Sequence, residues 1–174
     1  MAETARVNGS AGAEWIGAAL AEFERPLLRY AQRITRDAER ARDVVQETFF
    51  RLCREQPADL DGHLAEWLFT VCRNKALDVA RKEQRMTTLA QAGVVDRASP
   101  ECPPDELAES HDSAARILEI LDTLPDHQQE CIRLKFQGAL SYREIAGVTG
   151  LSVSNVGYLI HVGLKAIRQQ MGVA

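Results

Sequence analysis

Apolar residues recur every three or four positions along most of this 174-residue chain, and no alternation typical of a β-strand lasts. The stretch AERARDVVQETFFRLCREQ shows the pattern well, because it follows Asp37, a residue type that caps helices. Its inward stripe is Ala41, Val44, Val45, Thr48, Phe49 and Leu52. The sequence therefore predicts an all-α fold.

The stretch 87–109 breaks this helical period. It contains Gly93 and three prolines, at 100, 103 and 104. Residues 87–115 also carry six Asp and Glu against one Lys or Arg. The chain before them carries 14 acidic and 14 basic residues, and the chain after them carries five acidic and six basic residues. All the excess acid of a chain with net charge −4 lies in one segment, which is typical of functionally distinct parts.

We therefore predict two small helical domains joined by a flexible acidic linker. The predicted parts are a disordered tail at 1–13, a first domain at 14–86, the linker at 87–111 and a second domain at 112–174. Pro26 is predicted to end a first helix and begin a second, because its fixed φ suits the first helical position. A later helix runs from about His63 to Arg85, with an inward stripe of Leu64, Trp67, Leu68, Val71, Cys72 and Leu77.

Several function classes are excluded by what the chain contains. No apolar run approaches the roughly 18 residues of a membrane span, and the N-terminus does not resemble a secretion signal, so we expect a cytoplasmic protein without membrane insertion. The four cysteines and four histidines complete no zinc spacing, and we expect reduced, buried thiols. We find no pairing of a nucleophile with a base. The sequence thus predicts no catalytic residue, no metal site and no cofactor.

The run SYREIAGVTGLSVSNVGYLI has the pattern of a helix-turn-helix. Ser141 can cap a short helix that turns Ile145 inward, Gly150 makes a tight turn, and Ser152 caps a second helix. In such motifs the second helix enters the DNA major groove and presents its N-terminal residues to base edges. The candidate DNA-binding residues are Ser152, Ser154, Asn155, Tyr158 and His161. An ordinary helical hairpin is the alternative.

A cluster of basic residues ends the first domain, in RNKALDVARKEQR. Its members are Arg73, Lys75, Arg81, Lys82 and Arg85, and such charge suits phosphate contacts. Trp67 and Phe69, beside the cluster, could stack nucleic-acid bases. The place of Trp67 in the apolar stripe favours a core position instead.

Three segments together resemble bacterial sigma factors. DAERARDVVQETFFRL is similar to their second conserved region, and HLAEWLFTVCRNKALDVARK to the following W-L-x-x-x-x-x-N-x-x-x-D segment that reads and melts the −10 element. LDTLPDHQQECIRLKFQGALSYREIAGVTGLS resembles the fourth region. Nothing resembles regions one or three, so the chain is identified as a member of the compact extracytoplasmic-function (ECF) group.

The resemblance implies a role for each segment. Asp43, Gln46 and Glu47 would dock on the coiled coil of the polymerase β′ clamp. Asn74, with the loop from about Gln56 to His63, would hold a flipped base of the −10 element. Arg73, Lys75, Arg81 and Lys82 would hold the DNA backbone.

The resemblance also implies further partners. The second domain would read the −35 element and meet the β flap of core RNA polymerase, and the acidic linker would thread the RNA exit path. An anti-sigma factor would sequester the protein, which would be associated with the nucleoid when active.

The chain departs from the family pattern in its last helix. Gly157, Leu159 and Val162 stand where the family usually places basic residues, and Gln129 stands where it often has arginine. Recognition of the −35 element could be weak and depend on Asn155 and Tyr158, or this face could dock a regulator, or the helix is an ordinary but divergent reader of DNA. A stand-alone helix-turn-helix regulator and a sigma-like decoy remain alternative functions.

Overall fold

The two halves of the chain fold as separate compact units, residues 1–100 and 101–174. The computed structural model describes the backbone of residues 2–90 and 110–172, and the side chains of residues 12–86 and 114–172. Within these ranges the regular structure is helical throughout and contains no strand. The predicted all-α fold with two helical domains is confirmed.

The first unit is a bundle of three mutually packed helices. They are α1 (Ala2–Thr35), α2 (Ala38–Leu52) and α3 (Leu64–Ala90), with a 3-10 turn at Pro57–Leu60 before α3. Helix α2 buries all six residues of the predicted stripe. The Asp37 side chain caps it by accepting a hydrogen bond from the backbone N–H of Arg40 at 3.0 Å. The inward face of α2 was therefore fully predictable from its spacing.

Helix α1 differs from its prediction at two places. It continues through Pro26, where we predicted a break between two helices. A proline inside a helix costs about 3 kcal/mol, and burial of Leu27, Tyr30 and Ala31 just after it offsets that cost. The helix also begins at Ala2, within the tail predicted to be disordered. Alanine and glutamate there favour helix, and no proline interrupts them before residue 26.

Helix α3 buries a narrower face than its predicted stripe. Its fully buried residues are Leu68, Phe69, Cys72 and Ala76, while Leu64, Trp67, Val71 and Leu77 are half-buried. The Phe69 ring packs edge-on against Tyr30, with ring centroids 5.4 Å apart. Phe69 is thus a core residue, and the suggestion that it stacks bases was wrong.

We had expected the cysteines to be buried, but one of the described cysteines is exposed. Cys53, at the end of α2, is exposed, whereas Cys72 and Cys131 are buried free thiols. Burial raises the pKa of Cys72 to about 12 and that of Cys131 to about 11. Both buried thiols therefore stay protonated and unreactive at neutral pH.

The predicted acidic linker falls mostly outside the described residues. Helix α3 extends to Ala90 and helix α4 begins at Ser110, so both ends of the predicted 87–111 segment are helical. Residues 91–109 lie outside the described part of the chain.

The described part of the second unit contains four helices. They are α4 (Ser110–Thr123), α5 (Asp126–Phe136), α6 (Tyr142–Thr149) and α7 (Val153–Met171). Leu134, Leu140, Ile145, Val156 and Ile160 form a core shared by α5, α6 and α7. Gly163 allows α7 to approach α5 closely, since a Cβ atom there would lie 2.5 Å from Cδ1 of Ile132.

Candidate nucleic-acid and polymerase interfaces

Helices α6 and α7 form the predicted helix-turn-helix. Their axes turn by 104° at the break between them, within the usual range for this motif. Ser141 and Glu144 form a complete capping box at the start of α6. Gly150 takes the left-handed conformation (φ 75°) that the turn requires, and the Ser152 hydroxyl accepts from the N–H of Asn155 at 3.2 Å. Every cap and turn of the prediction is confirmed.

The candidate reading residues lie together on the outward face of α7. This face is opposite to the buried residues Val156, Ile160 and Gly163. The predicted residues on it are Ser154, Asn155, Tyr158 and His161, and all four are exposed. The Tyr158 side chain is 64% exposed. Ser152 is exposed as well, although its hydroxyl is engaged in capping the helix.

The predicted polymerase-docking residues share the outward face of α2. Asp43 and Gln46 are exposed, and Glu47 is half-buried, with its carboxylate 3.5 Å from the guanidinium of Arg51. The buried stripe of α2 lies on the opposite side. The three residues therefore form one polar, acidic surface.

The predicted −10 residues form a surface on α3 that is less compact. Asn74, Arg81 and Lys82 are exposed, and the seven-residue spacing of Asn74 and Arg81 places them on one face. Arg73 and Lys75 are half-buried on opposite flanks of that face. The carboxylate of Asp78 lies within the same surface, 3.7 Å from Arg81. Lys75 and Lys82 have the same seven-residue spacing, so the structure brings four of the five residues together and leaves Arg73 on the other flank.

The loop before α3 is packed against the first unit by one buried residue. Leu60 anchors it in the core, Gly62 takes a left-handed conformation (φ 75°), and Nδ1 of His63 lies 3.1 Å from the carbonyl oxygen of Asp61. Leu60 is thus the residue that attaches this loop to the core just before α3.

Comparison with known proteins identifies both units. The profile of Sigma-70 region 2 matches residues 20–86, and that of Sigma-70 region 4 matches residues 114–167. The SigL ECF RNA polymerase sigma factor of Mycobacterium tuberculosis is 32% identical over 179 aligned positions, which cover 97% of this chain and 98% of SigL. The chain belongs to the ECF sigma factor family.

Further relatives agree with this ECF sigma factor assignment. SigX of Bacillus subtilis is 28% identical, over 86% of this chain and 79% of SigX. The sigma factor RpoE, solved with the anti-sigma factor NepR from Bartonella quintana, has the same fold with a TM-score of 0.69, 20% identity and coverage of 92% and 98% of the two chains. CnrH, solved with the cytosolic domain of CnrY, superposes with a TM-score of 0.61, 23% identity and 96% coverage of each chain.

Two departures of this sigma factor from the family pattern have different structural meanings. Gln129 is 3% exposed, and its amide donates to the carbonyl oxygens of Asp122 and Leu124, both at 2.9 Å. Gln129 therefore ties α5 to the end of α4 as a buried structural residue. Gly157 lies beside the Tyr142 ring, where an added Cβ would make ordinary contacts of 3.7 Å.

Two apolar features of the sigma factor were missed in the sequence. Phe50 is 57% exposed on the α2 face that carries Asp43 and Gln46, and its spacing from Asp43 could have placed it there. A groove of about 290 Å³ is also present in the second unit. Its lining includes Ile117, Leu118, Ile132, Phe136 and Leu164. No sequence signal reveals a groove formed between three helices.

Two further findings concern the described residues only. No three His, Cys, Asp or Glu side chains among them lie close enough together to hold a metal ion. None of the described helices is by itself long and apolar enough to cross a membrane, and α6 with α7 meets that test only as a pair bent by 104°.

Proposed function

We propose that this sigma factor docks on core RNA polymerase through α2, opens the −10 element with α3 and reads the −35 element with α7. The observation that carries the proposal is the presence of three exposed surfaces with three chemistries, each opposite a buried helix face. The α2 surface is acidic with an exposed aromatic ring, the α3 surface is largely cationic, and the α7 surface is neutral. Each lies within a segment that matches the family.

Run-off transcription with core polymerase tests the proposal. The protein should direct initiation at specific promoters, because both units of a sigma factor are present. We expect the same activity in the cytoplasm. A stand-alone regulator would instead bind DNA tightly without polymerase. A decoy would bind polymerase and give no initiation. Either result would contradict the proposal.

The docking surface on α2 should depend on its acidic groups. Replacing Gln46 and Glu47 together by lysine puts two positive charges against a basic partner surface, and we expect core binding to weaken about a hundredfold. The charge reversal Glu24→Lys, at an exposed position of α1, is the control and should leave core binding unchanged. Fluorescence anisotropy of labelled protein with core polymerase measures both.

Asn74 should act at a later step than the α2 surface. Asn74→Ala removes an exposed amide that would hold a flipped base, and flipping costs a few kcal/mol. We expect open-complex formation, measured by permanganate reactivity of unpaired thymines, to fall about tenfold while core binding stays unchanged. Equal loss of core binding in Asn74→Ala and in the Gln46 and Glu47 double variant would contradict this division of roles.

Phe50 provides an apolar anchor for the same docking surface. Large aromatic side chains at the centre of a polar patch are the commonest binding hot spots, and truncating one typically costs 2 kcal/mol or more. Phe50→Ala should weaken core binding about thirtyfold without loss of stability, because the ring is exposed. The neighbouring Phe49→Ala should instead destabilise the first unit by about 3 kcal/mol, because that ring is buried.

The apolar groove of the second unit is the proposed site for the β flap. In its walls the side chains of Ile117, Leu118 and Phe136 are 40%, 39% and 63% exposed. An exposed apolar surface of this kind favours binding of an apolar partner segment. Phe136→Asp should lower initiation at promoters that need a −35 element and should spare promoters that do not. Equal loss at both promoter classes would argue against a flap site.

We also propose regulation by an anti-sigma factor. The similar RpoE was solved with the anti-sigma factor NepR, and the similar CnrH was solved with the cytosolic domain of CnrY. A protein that copurifies with this chain should abolish run-off transcription when added back in equal amounts. A copurifying protein that leaves transcription unchanged would fail this test.

A further inference from the structure

Helix α1 carries a row of arginines on the side that faces away from the other helices. Its members are Arg25, Arg29 and Arg33 on the helix and Arg36 directly after it. Spacings of three and four residues place them along one face, and we call this row the arginine strip. The buried residues of the same stretch, Leu27, Tyr30 and Ala31, turn to the opposite side. No Asp or Glu lies between residues 25 and 36, so the strip is cationic throughout.

An ordinary solvated helix face does not account for this composition. The exposed face of α2 mixes the two signs, and there the guanidinium of Arg51 lies 3.5 Å from the carboxylate of Glu47. Arginines four residues apart on a helix repel each other instead. The negative end of the helix dipole attracts cations in the last turn, which accounts for Arg33. Arg25 and Arg29 lie outside that turn, so the dipole does not explain them.

The backbone of Arg36 supplies a second observation on the strip. Its φ of 56° lies in the left-handed region, which costs a residue with a Cβ more than it costs glycine. Glycine is the common residue at this position after a helix. The Arg36 side chain is exposed, so its burial does not offset the cost. A residue held in such a conformation points to a use for its side chain.

The arginine strip fits a phosphate backbone better than a protein partner. Protein interfaces are usually centred on apolar or aromatic side chains, and no large apolar residue is exposed between residues 25 and 36, all of which the structure describes. Single strands are usually bound by exposed aromatic rings, which this stretch also lacks. Arginine binds phosphate oxygens through paired hydrogen bonds. The strip is about 16 Å long, enough for about five phosphates along one strand of B-DNA.

We propose that the arginine strip is a further DNA-binding surface of this protein, separate from α3, and that it holds the phosphate backbone of double-stranded DNA without regard to sequence. The three helices of the first unit pack on one another, so the side of α1 that faces away from them differs from the outward sides of α2 and α3. The strip therefore stays accessible while α2 and α3 hold their proposed partners. In the holoenzyme we expect it to contact promoter DNA outside the −10 element, and only this last expectation rests on the proposed function.

Binding of the full chain to a short duplex without promoter sequence, in the absence of polymerase, tests the proposal. Arg29→Gln should weaken binding about tenfold at low salt and make the slope of log affinity against log salt shallower by about 0.9, the value for one phosphate contact. Arg116→Gln, the same substitution at an exposed arginine of α4, is the control and should change neither quantity. Fluorescence anisotropy of labelled DNA measures both. A larger loss on a single strand than on the duplex would contradict the assignment to double-stranded DNA.

Arg36→Gly separates DNA binding from stability. Glycine relieves the left-handed backbone and should make the protein more resistant to urea, yet the loss of the guanidinium should weaken duplex binding as much as Arg29→Gln does. A purely structural role of Arg36 predicts no loss of DNA binding in this variant. Duplex binding that stays unchanged in both Arg29→Gln and Arg36→Gly would overturn the proposal.

Photocrosslinking identifies the partner of the strip in the holoenzyme. Gln32 lies on the same face, three residues after Arg29, so Gln32→benzoylphenylalanine places a crosslinker there and keeps all four arginines. Illumination on promoter DNA should give crosslinks to DNA outside the −10 element. Crosslinks to a polymerase subunit alone would show that the strip meets an acidic protein surface, and would overturn the proposal. A holoenzyme that initiates at no promoter would contradict the proposed function, whereas the measurements on the free chain decide the arginine strip independently.

Discussion

Helices α3 and α7, the two helices of this sigma factor proposed to bind the promoter elements, differ in charge although each has an exposed face. Helix α3 carries five Lys and Arg between residues 73 and 85, whereas α7 has none between 153 and 164. Phosphate contacts supply affinity that is independent of sequence, and base contacts supply specificity. We therefore propose that the first unit supplies most of the affinity for DNA and the second unit the base selection, with the polymerase holding the second unit near DNA.

Salt dependence gives the largest expected effect. Replacing Arg81 and Lys82 by alanine removes two phosphate contacts, each worth about tenfold, so promoter affinity should fall about a hundredfold at low salt. The slope of log affinity against log salt should become shallower by about 1.4, the value for two contacts to single-stranded DNA. Filter binding of holoenzyme to promoter DNA, at salt concentrations from about 0.05 to 0.2 M, measures the slope.

The matched control is the α7 double variant Asn155→Ala with Tyr158→Ala. It should lower affinity for the preferred promoter and leave the salt slope unchanged, because neither side chain carries charge. If the two double variants changed the slope equally, the proposed separation between charge on α3 and base reading on α7 would be wrong.

The packing of α7 provides a second test, of intermediate size. Gly163→Val should destabilise the second unit by about 2 kcal/mol, because the new side chain would overlap Ile132 where even a Cβ is crowded. Gly157→Ala should stabilise it by up to about 1 kcal/mol, since alanine favours helix and its Cβ fits beside Tyr142. Urea unfolding of the full chain, followed by circular dichroism, measures both.

Equal destabilisation by the two substitutions would mean that the faces of α7 are not divided into a packed side and an open side. Gly163→Val should also lower −35 discrimination while sparing core binding through α2, because the two functions lie in separate units. A loss of core binding as large as that in the Gln46 and Glu47 double variant would contradict that separation, because only the proposed flap contact lies in the second unit.

The sequence predicts local features of this fold better than features that depend on distant residues. The α2 stripe, the Asp37 and Ser152 caps and the Gly150 turn follow from spacing and residue type over fewer than ten positions. The continuous helix through Pro26 does not, because tertiary burial overrides the proline cost. The buried role of Gln129 was not predictable for the same reason, since its two carbonyl partners come within reach only when α4 meets α5.

The candidate sites show the same limit. Exposure of the α7 residues follows from a stripe that faces inward, so it was predictable from one helix. The separation of Arg73 from Lys75 depends on which face of α3 is buried, and the predicted stripe of that helix was too broad. The apolar groove requires three helices to meet, and no single segment encodes it.

The smallest expected effect comes from relieving backbone strain at one residue in each unit. Each has one non-glycine residue in the left-handed region among those described, Arg36 (φ 56°) after α1 and Ala139 (φ 55°) before α6. This conformation costs a residue with a Cβ about 1 kcal/mol more than glycine, so Arg36→Gly and Ala139→Gly should each stabilise their own unit by about 0.5–1 kcal/mol. Hydrogen exchange resolved by residue measures each gain within its unit. A gain from Arg36→Gly that also protected α5 and α7 would show that the units unfold together, and affinity and base reading could then not be altered independently.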